Sequence, residues 1–221
     1  MAAGDEDTGP VRLDRARVVA GAVALADQVG VEPVTMRRLA DTLGTKPMTL
    51  YSHVANKDDL LDGMVDHVFA AIDPPPDLPW RAAVRHRCVS AREVLRVHPW
   101  AVPLLESRRS PGPATLEHHE AVLACLFGGG LATHVVATAY AVLDAYVYGF
   151  AVQEASLPGG GAGDDLTEVG SDIAGAMDPA AFPSLTRFMV EHAMQPGYDF
   201  GAEFEVGLDL VLDGLELLAG G

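Results

Sequence analysis

Apolar residues recur along this chain at intervals of three and four, and no stretch shows the strict alternation of a half-buried strand. The first run puts Val18, Val19, Ala22, Leu25, Ala26 and Val29 on one face. Asp14 precedes it as a good N-cap and Gly30 follows as a stop. Thr35 is placed to cap a short second helix over 36–43, with Leu39, Ala40 and Leu43 on its apolar side. Gly44 is expected to end that helix in a left-handed turn. Thr45 is expected to cap a third helix reaching about His53, with Pro47 tolerated in its first turn. Asn56 caps a fourth, with Asp58 and Asp59 in its positive first turn, and Leu60, Met64, Val65, Val68 and Phe69 carry it to near Ile72.

Proline then interrupts. The segment DPPPDLP, residues 73–79, cannot be helical and marks a boundary. Helical spacing resumes beyond it and predicts helices near 80–97, 101–106, 114–127, 131–156, 183–195 and 202–219. The stretch LPGGGAGDD, 157–165, reads as a flexible surface loop. Residues 1–10 read as a loose tail. The pattern predicts an all-α protein with four parts. They are the tail over 1–10, a three-helix unit over 11–56, a connecting helix over 57–72 and a helical bundle over 73–221.

Charge changes this picture more than composition does. The 221 residues carry a net charge of −16. Between Val11 and Lys57, however, seven cations face four anions, a local excess of +3 that leaves −19 for the rest. An anionic partner would therefore meet the N-terminal quarter, because salt screens charges more than ~10 Å away. The two cysteines, Cys88 and Cys125, lie in apolar helical surroundings without a CxxC partner, which fits a reducing cytoplasm. The acidic first ten residues lack the apolar core of a signal peptide. Residues 121–143 hold no charged side chain, but Gly128, Gly129 and Gly130 break them into two core helices, so no membrane span is expected.

Residues 35–54, TMRRLADTLGTKPMTLYSHV, have the layout of a helix-turn-helix, with Leu39, Ala40, Leu43, Leu50 and Val54 as its joint core. The second helix of such a pair lies in the major groove with its N-terminal residues at the base edges. Thr49, Tyr51, His53 and Lys57 carry donors suited to phosphate oxygens. Lys46 has reach for a base edge or a phosphate, Pro47 and Met48 offer apolar contact to a thymine methyl, and Thr35 and Arg37 open the preceding helix. Arg12, Arg15 and Arg17 either steer DNA or form a solvated face.

The combination of Thr35, Leu39, Ala40, Leu43, Gly44, the run TLY at 49–51, His53, Val54, Lys57 and Leu60 resembles the TetR family of bacterial transcriptional repressors. The strong resemblance covers roughly 13–69. The stretches YVYGFAVQEAS and FEVGLDLVLDGLELL resemble the C-terminal region of the tetracycline-repressor-like subgroup. The resemblance implies a homodimer joined by two late helices from each subunit, a double-stranded DNA operator, and release when an effector tilts the connecting helix. Tetracycline repressors hold a drug–magnesium complex with His, Asn, Gln and Glu side chains. Asp73 and Glu106 fall near two of those histidine positions, and Gln153 replaces an acidic one. Tetracycline is therefore not the expected effector, and no metal or cofactor is expected.

For the effector, an apolar pocket with a few polar groups suits a small hydrophobic molecule. Candidates to line it are His98, Trp100, His134, Asp144, Tyr148, Gln153, Phe188 and His192, together with Cys125, Phe150 and Met189. Most of these are equally plain core positions. Asp144 stands in an apolar helix and needs a partner, which is a nearby tyrosine, a second subunit or a ligand. The pair His118–His119 points about 100° apart on a helix and reads as a solvated helix end rather than a metal site. No GxSxG, HExxH or phosphate-binding loop occurs, so nothing favours an enzyme. The competing reading is a helical small-molecule-binding protein with a non-functional helix-turn-helix.

Overall fold

The computed structural model describes residues 13–105, 107–160 and 164–220. The expected tail over 1–10, Arg12 and Glu106 lie outside the described residues. Among those described there is no strand.

The N-terminal helices begin and end where local chemistry demands. α1 (Arg15–Val29) starts at Asp14, whose carboxylate accepts from the N–H of Arg17. α2 (Met36–Thr42) starts at Thr35, whose hydroxyl oxygen accepts from the N–H of Arg38. Gly44 follows with φ of +64°. A Cβ there would meet nothing within 4 Å, so only the backbone resists substitution. Gly44→Ala is therefore expected to cost about 1 kcal/mol, read from the denaturant midpoint. α3 (Pro47–Leu50) is shorter than the expected helix to His53, and Lys46 rather than Thr45 stands at its N-cap. Residues 51–53 are turns that bring the chain to α4 (Lys57–Ala71), capped by the side chain of Asn56.

The proline segment 73–79 is irregular, as its composition requires. It leads to α5 (Trp80–Val97), a short 3₁₀ turn over Pro99–Ala101, and α6 (Val102–Leu105). α7 (Pro113–Gly128) and α8 (Thr133–Ser156) are separated by a glycine turn in which Gly130 has φ of +80°. α8 is long and apolar enough to cross a membrane, but here it packs against α5, α7 and α11 and buries two carboxylates.

Two expectations fail after α8. The loop over 157–165 contains a 3₁₀ turn at Pro158–Gly160 and runs into a further helix, α9 (Asp164–Ala176). Leu166, Val169 and Ile173 give α9 its helical spacing, which Gly170, Gly175 and the neighbouring glycines obscure. The single helix expected over 183–195 divides into α10 (Pro183–Phe188) and a π turn over Met189–Ala193, closed by the N–H of Met194 on the carbonyl of Met189. α11 (Glu203–Ala219) ends the described fold.

One continuous core joins the two halves. α1 packs on α2 and α4, and α4 then packs on α7 and α5. Connecting helix and bundle therefore share one packed interior.

Candidate nucleic-acid interface and effector cavity

Leu39, Ala40, Leu50 and Val54 are at most 1% exposed and lock α2 against α3. That burial leaves Thr35, Arg37, Lys46, Pro47, Met48, Thr49, Tyr51 and Lys57 exposed, and His53 half-buried. Met48 is 77% exposed and Tyr51 46%. Large apolar surface left in water at the tip of a helix pair marks a contact surface, and both side chains sit among hydroxyl and cationic donors.

The loop that carries His53 to Lys57 is held from behind. Arg15 of α1 forms a two-point ion pair with Asp59, Nη1 to Oδ2 at 2.9 Å and Nη2 to Oδ1 at 2.7 Å. Asp59 Oδ2 also accepts from the N–H of Ala55 at 2.7 Å, and Arg15 Nη1 donates to the carbonyl of His53 at 3.2 Å. The Arg15 hydrogen bond holds the Asp59 carboxyl below its ordinary value. Arg15 thus clamps the loop while its side chain stays 48% exposed.

The eight residues expected around an effector do not share a pocket. His98 and Trp100 turn to the DNA-binding unit instead. His98 Nδ1 and Trp100 Nε1 lie 2.7 and 2.6 Å from the same oxygen of Asp27 on α1. His134, Gln153, Phe188 and His192 are exposed on the single chain, and His192 Nε2 lies 2.9 Å from Glu203. Asp144 and Tyr148 are buried, but the partner of Asp144 is none of the three foreseen. It is Arg87 of α5, with Nη1 2.8 Å from Oδ1.

Arg87 in turn approaches Nε2 of His118, with Nε at 3.0 Å and Nη2 at 2.8 Å. His118 is 5% exposed and so is no solvated helix end. Burial, then the Arg87 charge, then His119 push its pKa down to about 3, so the ring is neutral and accepts. Burial alone would lower the Arg87 pKa, but the Asp144 carboxylate more than offsets it and the guanidinium keeps its charge. A second, half-buried pair joins Arg92 to the buried Glu154, with Nη2 2.5 Å from Oε1, and Arg92 lies over the rings of Phe150 and Phe204. Arg87 had a sequence signal. Arg87 falls on the stripe Ala83, Val84, Cys88, Ala91 and Leu95, where a cation is tolerated only with an anion on the facing helix.

Among the described residues, one partly enclosed space lies elsewhere. A cavity of about 230 Å³ opens between α4, α7, α8 and the segment 108–112. Val65, Leu105, Pro111 and Leu116 supply apolar wall, and Arg108, Thr115, His119 and Tyr140 supply polar groups. The Tyr140 hydroxyl lies 2.5 Å from His119 Nδ1. None of the eight expected residues lines it. Phe69 packs its ring against both His118 and His119, which joins this wall to the Arg87 network.

A donor-rich helix pair presented by an all-helical body defines a helix-turn-helix regulator. Residues 18–64 match the family model described as bacterial regulatory proteins, tetR family, and residues 73–218 match the tetracyclin repressor-like C-terminal domain. The chain belongs to the tetR family. It is 33% identical over 210 residues to the transcriptional repressor DrrR1 of Streptomyces coeruleorubidus, spanning 91% of this chain and 77% of that one. Among solved structures, ActR of Streptomyces coelicolor in complex with actinorhodin superimposes with a TM-score of 0.78 at 28% identity, over 96% of this chain and 100% of ActR. BioQ bound to its double-stranded DNA operator superimposes with a TM-score of 0.63 at 26% identity, over 92% and 98%. The chain is accordingly a DNA-binding transcriptional repressor and not an enzyme.

Proposed function

We propose that this repressor binds a pseudo-palindromic operator as a homodimer in the cytoplasm and is released by a small molecule. The exposed set on α2 and α3 carries the reading, because nothing in the fold itself needs Met48 and Tyr51 in water. Thr35, Arg37, Lys46, Pro47, Met48 and Thr49 meet base edges and nearby phosphates, while Tyr51, His53 and Lys57 grip the backbone. Two such surfaces about 34–36 Å apart suit half-sites one turn apart. BioQ with its operator supports the DNA partner, and ActR with actinorhodin supports a small-molecule partner, for which the cavity beside His119 and Tyr140 is the proposed seat.

The dimer reading rests on two unsatisfied helix faces. α11 buries Phe204, Leu208, Leu212 and Leu215 but leaves Val206, Leu210 and Leu217 at least 61% exposed on another side. α8 leaves Thr138, Val142, Ala145, Gly149, Val152 and Ser156 exposed at alternating steps of four and three. That is the spacing of a helix-packing seam, and a second copy offers the same seam.

The test is a gel shift with DNA immediately upstream of the reading frame. Wild type is expected to shift it, and Lys57→Ala and Tyr51→Ala to weaken the complex at least about tenfold with the helical spectrum unchanged. Binding should fall with added salt, and Lys57→Ala should reduce that slope by about one. Variants that shift the DNA as wild type does would remove Lys57 and Tyr51 from the contact set, and a wild type that shifts nothing across a range of salt would favour the small-molecule-binding reading.

A further inference from the structure

α4 is keyed to the bundle by carboxylates. Asp58, Asp62 and Asp66 recur every four residues and so share one face. Asp62 accepts from Arg108 Nε at 2.5 Å, and Asp58 accepts from Arg108 Nη2 at 3.3 Å. Asp66 Oδ1 accepts from the backbone N–H of Thr115 at 2.8 Å and from its hydroxyl at 3.0 Å.

Thr115 is the third residue of α7, and the N–H groups of a first helical turn have no partner within their helix. The N-cap residue of α7 is Gly112, which has no side chain to cap with. Asp66 therefore caps a helix to which it does not belong. The seat is close: a Cβ on Gly112 would stand 2.3–2.5 Å from the Asp66 carboxylate. The same Gly112 and Thr115, with Arg108 and Asp62, also line the 230 Å³ cavity. One wall of the cavity and the hold on α4 are thus the same atoms.

We propose that Asp66 is a positioning residue that sets the angle of α4, and with it the DNA-binding unit, through the capped end of α7, with Arg108 as the second point of the joint. The idea rests on the repressor reading for its purpose but not for its geometry. A molecule entering the cavity has to press on segment 108–112 and Thr115. Loss of the cap and of the Arg108 pair then releases α4.

The test needs no effector. Nitroxides are placed at Asp41→Cys on α2 and Ala82→Cys on α5, both exposed, in a Cys125→Ser background that leaves buried Cys88 untouched. Labelled chain is diluted into unlabelled chain, so that the intrachain distance is read. Asp66→Ala and Arg108→Ala are expected to widen that distribution about twofold, as two orientations become populated. Gly112→Ala, which forces the carboxylate out of its seat, is expected to do the same if Asp66→Ala fails to fold. Asp66→Asn keeps an acceptor for Thr115 and is expected to restore the wild-type width. Arg81→Ala, which breaks the α5 ion pairs with Asp213 and Glu216, is expected to leave the width alone. A lower melting temperature at unchanged width in Asp66→Ala, Arg108→Ala and Gly112→Ala would overturn the proposal. A widened distribution in a protein that shifts no operator would keep the joint and defeat the repressor purpose instead.

Discussion

Asp144→Ala is expected to lower the unfolding free energy by about 3–5 kcal/mol, among the largest single effects in this chain. Arg87 is 1% exposed, and Asp144 is the carboxylate that faces it. Without Asp144 the guanidinium stays charged, because burial does not bring an arginine into the titration range. The loss measures the stranded cation, not the worth of the pair. Exchanging both partners together, Arg87→Met with Asp144→Leu, is therefore expected to cost far less and to approach neutrality, since neither charge then needs desolvation. Urea denaturation of the two variants separates these cases. A double variant as unstable as Asp144→Ala would mean that packing around α5 and α8, rather than charge, sets the cost. His118 would lose its donor in the double variant, so His118→Phe in that background is the natural third member of the series.

The second large effect is acid destabilisation through His118. Its folded pKa lies at about 3, against an ordinary value of 6.5. The shift is downward, so the unfolded chain takes up a proton below pH 6.5 while the folded chain does not. Stability conferred by the neutral ring is therefore complete above pH 6.5 and declines as the pH falls towards 3. The slope approaches about 1.4 kcal/mol per pH unit, and the accumulated loss is on the order of 3–5 kcal/mol. Asp59, whose pKa is lowered by Arg15, adds its own loss only at lower pH, below the ordinary carboxylate value of 3.8. The window from pH 6.5 to 4.5 thus belongs mainly to His118. Urea midpoints at pH 7, 6 and 5 should fall steadily for wild type and stay nearly level for His118→Gln, whose side-chain oxygen still accepts from Arg87. A wild type whose midpoint does not move from pH 7 to 5 would show that the folded ring takes up its proton at the same pH as the unfolded chain. The same neutrality suits the buried network, since a cation at His118 would stand beside Arg87.

These effects were not legible in the sequence, and the reason is distance along the chain. Asp14, Thr35 and Asn56 each cap a helix by reaching three residues ahead, so residue type and neighbours identify them. Gly44 declares its turn in the same local way. The helix-turn-helix is legible for a similar reason: its core and its exposed donors lie within twenty consecutive residues. Arg87 and Asp144 are 57 residues apart, and Asp66 reaches Thr115 across 49. No periodicity joins them. Only the packing of α5 on α8 and of α4 on α7 decides which polar groups meet.

The expected pocket residues are dispersed for the same reason. His98 and Trp100 look like pocket residues because both are amphipathic and lie near a helix end. The short 3₁₀ turn after α5 aims them at Asp27 instead. His119 and Tyr140 were visible as residues but not as a pair, since they belong to two helices that meet only in the folded bundle. The sequence by itself determined most of the helices, the caps at Asp14, Thr35 and Asn56, the proline boundary and the exposed face of the helix-turn-helix, because hydrogen bonds over three or four residues and one-turn periodicity specify them. The tertiary structure alone decided where the cavity lies, which carboxylate meets each inward-facing arginine and how α4 is held, because those depend on how helices distant in sequence pack side by side.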